Sequence, residues 1–181
     1  AAHVRRWIHR GEWRAAQLDL VGLTVATSLD NSGRLAWPSG LKINADALAV
    51  DRLNLEDSHL VLGDATSASK LTLEKLEFSG ELRSLLGPIK GEGQFYIGAQ
   101  HYPYRVALSR AAEDGAMKLR LTLDPIDRPA AELDGTLWLA DMRPRFDGTL
   151  NLSRAVGLTR ENGQTALSEP WRMTSRIKAD P

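Results

Sequence analysis

The chain has no cysteine among its 181 residues, which excludes disulfides, thiolate metal sites and cysteine nucleophiles together. It also has no excess of either charge, because 23 basic residues balance 23 acidic ones. No summed positive field is therefore available to attract nucleic acid, and we expect none to bind. The length suits one domain that buries a substantial core.

Long apolar runs are absent as well. No window approaches the roughly 18 consecutive apolar residues that a spanning helix needs, and no basic segment followed by an apolar one opens the chain. The sequence begins with Ala1 rather than Met. We expect a processed or trimmed fragment, in which any membrane anchor would lie upstream.

Residues in catalytic or metal-binding spacing are also missing. The glycines of GPIKGEGQF precede no predicted helix that could bind phosphate, and no serine stands in a nucleophile elbow. We predict no catalytic residue, no metal and no cofactor. The histidines lack ligand spacing; they are His3, His9, His59 and His101.

The most informative feature that is present is a repeat. The phrase DGTLxL occurs at Asp134–Leu139 and again at Asp147–Leu152. Its alternation of apolar and polar residues at so short an interval predicts two adjacent antiparallel strands joined by a connection of about six residues, ADMRPR. The leucines predicted to share one apolar face are Leu137, Leu139, Leu150 and Leu152.

Similar alternation runs through most of the chain and predicts strand after strand. Its phase slips near Val21, Asp57 and Glu74, where we expect β-bulges. The opening AHVRRWIH has the spacing of a short amphipathic helix, and ELRSLL at 81–86 is a second helix candidate. Residues 154–170 predict a long loop, with helix as an alternative.

Three regions follow from these patterns. Residues 1–40 form a short helix plus a hairpin whose turn is DNSG at 30–33; residues 41–157 form an antiparallel β-sheet domain; residues 158–181 form a loop and a possible final strand.

The predicted fold class is mainly β: a long, curved, bulged antiparallel sheet, as a groove, open barrel or sandwich, with one or two short helices. So few helices cannot cover so wide an apolar face, and leaving it wet costs about 25 cal/mol per Å². The candidates for an apolar, lipid-holding groove are Phe78, Phe95, Ile97, Val106, Leu108, Leu119, Leu121, Leu123, Leu137, Leu139, Phe146, Leu150 and Leu152.

One aromatic residue falls on the polar side of its strand. In the alternation, Trp138 points to the same side as Asp134 and Thr136. It is either a platform for a sugar or a protein contact, or a residue that packs across the strands on the outer face.

Several phrases resemble the AsmA family of bacterial envelope proteins: LNLEDSHLVLGD, LTLEKLEFSGELRSLLGPIKGEGQF and DGTLWLADMRPRFDGTLNLSRAVG. The likeness covers roughly residues 41–157 and extends more loosely to LDLVGLTVATSLDNSGRLAW. It implies a periplasmic segment of a protein anchored to the inner membrane by a part absent from this chain. It further implies a β-groove for phospholipid acyl chains in outer-membrane biogenesis, with possible contacts to envelope proteins. The family contributes no catalytic residue.

Two functions remain open at this point, with an enzyme as a third that no motif supports. The first is a lipid-conveying groove whose inner apolar row grips acyl chains. The second is a closed β-sandwich that acts as a scaffold or protein-interaction module. Alternation is the same in both, so the sequence does not separate them.

Overall fold

Every regular element in the described part of the chain is a β-strand, which confirms the β-dominated fold. The computed structural model describes residues 2–9, 12–36, 48–82, 88–126, 128–155, 157–161 and 164–180. The first seven strands are β1 (Ala2–His9), β2 (Glu12–Val21), β3 (Thr24–Leu29), β4 (Leu35–Ala36), β5 (Leu48–Asp64), β6 (Ser69–Leu82) and β7 (Ile89–Ile97). The other seven are β8 (Gln100–Leu108), β9 (Ala116–Leu123), β10 (Ala130–Ala140), β11 (Arg143–Arg154), β12 (Gly157–Glu161), β13 (Gln164–Ser168) and β14 (Trp171–Ala179).

Twelve of the strands in these described ranges form one sheet, in the order β1-β2-β5-β6-β7-β8-β9-β10-β11-β14, with β3 paired to β5 and β4 paired to β3. The sheet is curved and open and does not close into a barrel. The other sheet among the described residues is the small β12–β13 hairpin. Of the three predicted architectures, the open curved sheet is therefore the one observed.

The sheet is antiparallel from β5 to β14 but not throughout. Both β2 and β3 run parallel to β5, with Leu18 opposite Leu53 and Val25 opposite Leu60. Parallel pairing needs a long crossover connection, and the 18 residues between β3 and β5 provide enough chain for one. Alternation along a strand does not reveal the direction of its neighbour, so this feature was missed.

All three predicted phase slips coincide with backbone irregularities. Gly22, with φ 69°, separates β2 from β3. Asp57 has φ 45° at a register shift between β5 and β6, and Lys75 has φ 48° at a shift between β6 and β7. Each slip thus marks a position where the strand re-aims its side chains so that the leucines stay on one face.

The first two irregularities lie side by side and share hydrogen bonds. The Gly22 amide donates to the Glu56 carbonyl at 3.0 Å, and the His59 amide donates to the Leu23 carbonyl at 2.7 Å. Between them the Ser58 hydroxyl, only 1% exposed, donates to the Glu56 carbonyl at 3.0 Å and accepts from the Leu23 amide at 3.3 Å. These bonds keep β2 and β3 paired with β5 across the break.

Two predictions of secondary structure were wrong. Residues 2–9 form β1 rather than a helix, because a two-turn helix is costly to nucleate whereas every residue of β1 finds a partner on β2. The stretch predicted as a loop or linker contains the β12–β13 hairpin, with five residue pairs from Gly157↔Ser168 to Glu161↔Gln164. Of the second helix candidate, Glu81 and Leu82 end β6 and the rest lies outside the described residues.

The DGTLxL copies are adjacent antiparallel strands, as predicted. Leu133 on β10 lies opposite Leu150 on β11, and Leu137 lies opposite Phe146. The connection is tighter than the predicted six residues: β10 ends at Ala140, β11 begins at Arg143, and both residues between them have positive φ. A two-residue turn with positive φ at both positions matches the right-handed twist of the strands that it joins.

The same turn shows how far the sheet curves. The amide of Leu35, at the start of β4, donates to the carbonyl of Met142 at 2.7 Å. In strand order, β4 belongs to the β3–β5 region, whereas Met142 joins β10 to β11. The sheet therefore curls until two distant regions of it touch.

Glycines and phenylalanines combine at two places along this curve. Gly135 lies opposite Gly148, and a Cβ added to either would come within 2.6 Å of the Phe146 ring and 2.7 Å of the other glycine's Cα. Gly80 and Gly91 form the second pair, and there the Phe78 ring occupies the same place. Each ring lies on bare backbone where no side chain could fit, an arrangement that protects strand glycines.

This arrangement predicts that Gly135→Ala destabilises the protein by about 1–3 kcal/mol, because the added methyl displaces the Phe146 ring and presses on the β11 backbone. The matched control is Thr136→Ala on the opposite face, which we expect to change the free energy of unfolding by less than about 0.5 kcal/mol. Urea unfolding followed by circular dichroism measures both. Equal midpoints for Gly135→Ala and the parent chain would contradict the close approach.

Candidate functional site

One face of the sheet collects the apolar residues. Register links Val106, Leu121, Leu133 and Leu150 in a single row across β8, β9, β10 and β11. Extending such rows brings all thirteen groove candidates onto this side, here called the apolar face; they are Phe78, Phe95, Ile97, Val106, Leu108, Leu119, Leu121, Leu123, Leu137, Leu139, Phe146, Leu150 and Leu152.

The apolar face is wider than the candidate set. Antiparallel pairing with β6 carries it onto β5, parallel pairing carries it on to β2, and β14 extends it at the other end. The additional members include Leu18, Leu20, Leu53, Leu55, Leu60, Met173 and Ile177. Their alternation was visible in the sequence, but only the register shows that they lie on the same side as Leu121.

Little of this face is covered. Phe78, Leu82 and Met117 are the buried hydrophobic residues in the described part of the chain, at 8%, 6% and 4% exposure. The protein exposes 12804 Å², whereas a compact protein of its mass, 19.9 kDa, exposes roughly 8,700 Å². Among the described residues no second layer lies above these leucines, which pack sideways against their cross-strand neighbours and remain half-buried.

An aromatic cluster lies on the apolar face beside the β7–β8 turn. The Phe95 ring stacks on Tyr102 with centroids 5.4 Å apart and meets Tyr104 at 5.6 Å. The Tyr104 hydroxyl donates to the Glu77 carbonyl at 2.9 Å, at the bulge of β6. Burial raises the pKa of Tyr104 to about 12, since the phenolate would lose its hydration there.

The opposite face is polar and carries matched charges on neighbouring strands. Arg120 on β9 donates from Nε to Asp134 Oδ2 at 2.7 Å, and Arg176 on β14 contacts Asp147 on β11 at 3.1 Å. The hydrogen bonds from Arg176 hold the pKa of Asp147 below its usual range. The two arginine side chains are 65% and 80% exposed, so water and salt screen both pairs strongly. This face is therefore the one that meets water.

Trp138 lies on this polar face directly opposite Arg145. The Arg145 guanidinium stands 5.9 Å from the Trp138 ring centroid, and the same arginine pairs with Asp180. The geometry favours cross-strand packing on the outer face over a free platform for a sugar.

A shallow depression of about 550 Å³ also lies on the polar face, between β5 and β9. Its walls alternate in charge, with Lys90 and Arg105 among Glu81 and Glu92. Such a lining favours no ligand of a single charge.

No group of three or more potential metal-ligating side chains occurs in the described ranges. Those residues also include no helix with the length and apolar character that a membrane span requires. The candidate functional surface is the apolar face, because it is continuous across the described strands and little of it is buried.

The raised pKa of Tyr104 predicts a loss of stability in alkali. The folded-state pKa lies above the unfolded-state value of about 10, so the folded protein holds this proton more tightly. The contribution of Tyr104 to the free energy of unfolding is fully present below pH 10 and is lost as the pH rises from 10 through 12. Urea midpoints across that range measure the slope. Tyr104→Phe should remove part of this pH dependence. A slope that is the same in Tyr104→Phe and in the parent chain would contradict a raised pKa at Tyr104.

Comparison with known proteins adds no relative to this geometry. No protein-family model, no curated protein and no solved structure matches the chain. The likeness to the AsmA family therefore stays a prediction.

Proposed function

We propose that this chain is a non-enzymatic lipid-binding segment whose apolar face holds the acyl chains of phospholipids. The observation that carries the proposal is the continuous apolar face, which no second layer covers in the described part of the chain. Charged pairs on the opposite face stay in water. A surface that is apolar on one side and open along its length suits a ligand with long hydrocarbon chains.

The dimensions support the same ligand class. Eight described strands from β5 to β14 lie side by side, and at about 4.8 Å per strand they span roughly 34 Å. That length accommodates an extended acyl chain. Each CH₂ group moved out of water contributes about 0.8 kcal/mol, so a chain laid along the leucine rows is held without any polar contact.

On the same proposal, the chain is a periplasmic part of an AsmA-like envelope protein that serves phospholipid transport and outer-membrane biogenesis. An inner-membrane anchor would lie in a segment outside this chain. The support is the sequence resemblance, together with an open curved sheet of the kind that such a transport path needs.

The alternative is a scaffold or protein-interaction module of envelope assembly. Its closed-sandwich form is not what the described residues adopt. An open form in which a partner protein covers the apolar face is favoured by the exposure of Trp171 and Met173, at 41% and 50%.

Two substitutions one residue apart test the lipid proposal. Leu121→Asp places a carboxylate on the apolar face, whereas Thr122→Asp places the same charge on the polar face of the same strand. Phospholipid that copurifies with each variant is extracted and quantified by mass spectrometry, and melting temperatures are measured in parallel. We expect Leu121→Asp to lose the lipid and to melt a few degrees lower, since half-buried Leu121 leaves the carboxylate partly hydrated.

Thr122→Asp should retain the lipid. A parent chain that carries no phospholipid, and takes up none from vesicles, would contradict the lipid proposal. If Leu121→Asp unfolds and the parent chain never carries lipid, the apolar face is a dry core covered by protein.

A further inference from the structure

The strand at one edge of the sheet, β14, is paired on one side only. Nine residue pairs join it to β11, from Phe146↔Ala179 to Arg154↔Trp171. No strand in the described ranges pairs with its other side. Half of its backbone donors and acceptors therefore face outward, in the arrangement that accepts an added strand.

The charges on β14 are unbalanced. Its polar side carries Arg172, Arg176 and Lys178, and residues 171–179 contain no acid. The neighbour β11 contributes Asp147, which pairs with Arg176. Arg172 lies opposite Ser153 and forms no hydrogen bond or ion pair within the described part of the chain.

Elsewhere the polar face places opposite charges on neighbouring strands. Arg120 on β9 meets Asp134 on β10, and Arg105 on β8 meets Glu92 on β7. A strand that continued this pattern beyond β14 would carry carboxylates on its polar side.

The apolar side of β14 also lacks a neighbouring strand that would cover its side chains, among the described residues. Trp171 and Met173 lie on the apolar face at the sheet edge and are 41% and 50% exposed, whereas Ile177 farther along is half-buried. An added strand with apolar residues at alternate positions would cover both exposed side chains.

A second copy of β14 does not meet these requirements. Antiparallel pairing of two such strands would put arginine and lysine against arginine and lysine, and like charges directly opposite each other are destabilising. The edge therefore resists self-association while remaining open to a strand of the opposite charge.

We propose that β14 is a docking edge for an extended protein segment in which acidic and apolar residues alternate. The segment adds a strand to the sheet, its carboxylates pair with Arg172 and Lys178, and its apolar side chains cover Trp171 and Met173. This inference does not depend on lipid binding.

Synthetic nonapeptides test it with the intact chain. One alternates Glu with Val, a second alternates Lys with Val, and a third has the composition of the first without alternation. Titration calorimetry should show binding of the alternating acidic peptide alone, weakened by added salt. Arg172→Glu should weaken it roughly fivefold, whereas Lys70→Glu, the same charge change on exposed β6, should leave it unchanged.

Hydrogen exchange locates the contact, because added pairing should slow exchange of outward-facing β14 amides. Equal binding of the scrambled acidic peptide, or an Arg172→Glu variant that binds as the parent does, overturns the proposal. So does a parent chain whose mass in solution shows dimers that the acidic peptide fails to dissociate.

Discussion

In the described part of the chain no second layer covers the apolar side of this wide sheet, so contacts within the sheet itself have to stabilise it. The leucines of this protein contact their cross-strand neighbours, as in the row from Val106 through Leu121 and Leu133 to Leu150. Such pairs contribute roughly 0.2–1 kcal/mol each, and the ladder supplies many of them. Phe78 and Phe146 add rings that lie on bare glycine backbone. The fold is thus held by lateral packing, which leaves the upper surface of the apolar face available.

Keeping that face continuous requires corrections along the longest strands. β5 has 17 residues, and without a bulge at Asp57 its alternation would turn Leu60 and Leu62 toward water. The buried Ser58 hydroxyl stabilises this point by bonding both β5 itself and the β2–β3 break. A few irregular residues, Asp57 among them, therefore both keep the apolar face continuous and let the sheet curve.

Much of this architecture could be predicted from the sequence, since strict alternation and its slips depend on local spacing alone. The DGTLxL hairpin, the three positions of backbone irregularity and the side on which Leu121 lies are of this kind. Features decided by distant partners could not be predicted. The apolar residues of β1 have helical spacing, yet β1 pairs with β2. β2 in turn pairs in parallel with β5, which follows it only after a long connection. The free edge at β14 likewise becomes visible only when the strand order is known.

On the proposed function, lipid occupies one side of this sheet and not the other. A chain without cysteine allows a single thiol at a chosen place, so Leu150→Cys and Thr149→Cys can each carry a fluorophore on opposite faces of β11. Quenching is measured on adding phospholipid whose acyl chain bears a nitroxide. We expect strong quenching at position 150, on the apolar face, and little at position 149, on the polar face. Equal quenching at both positions, or none at either, would contradict it.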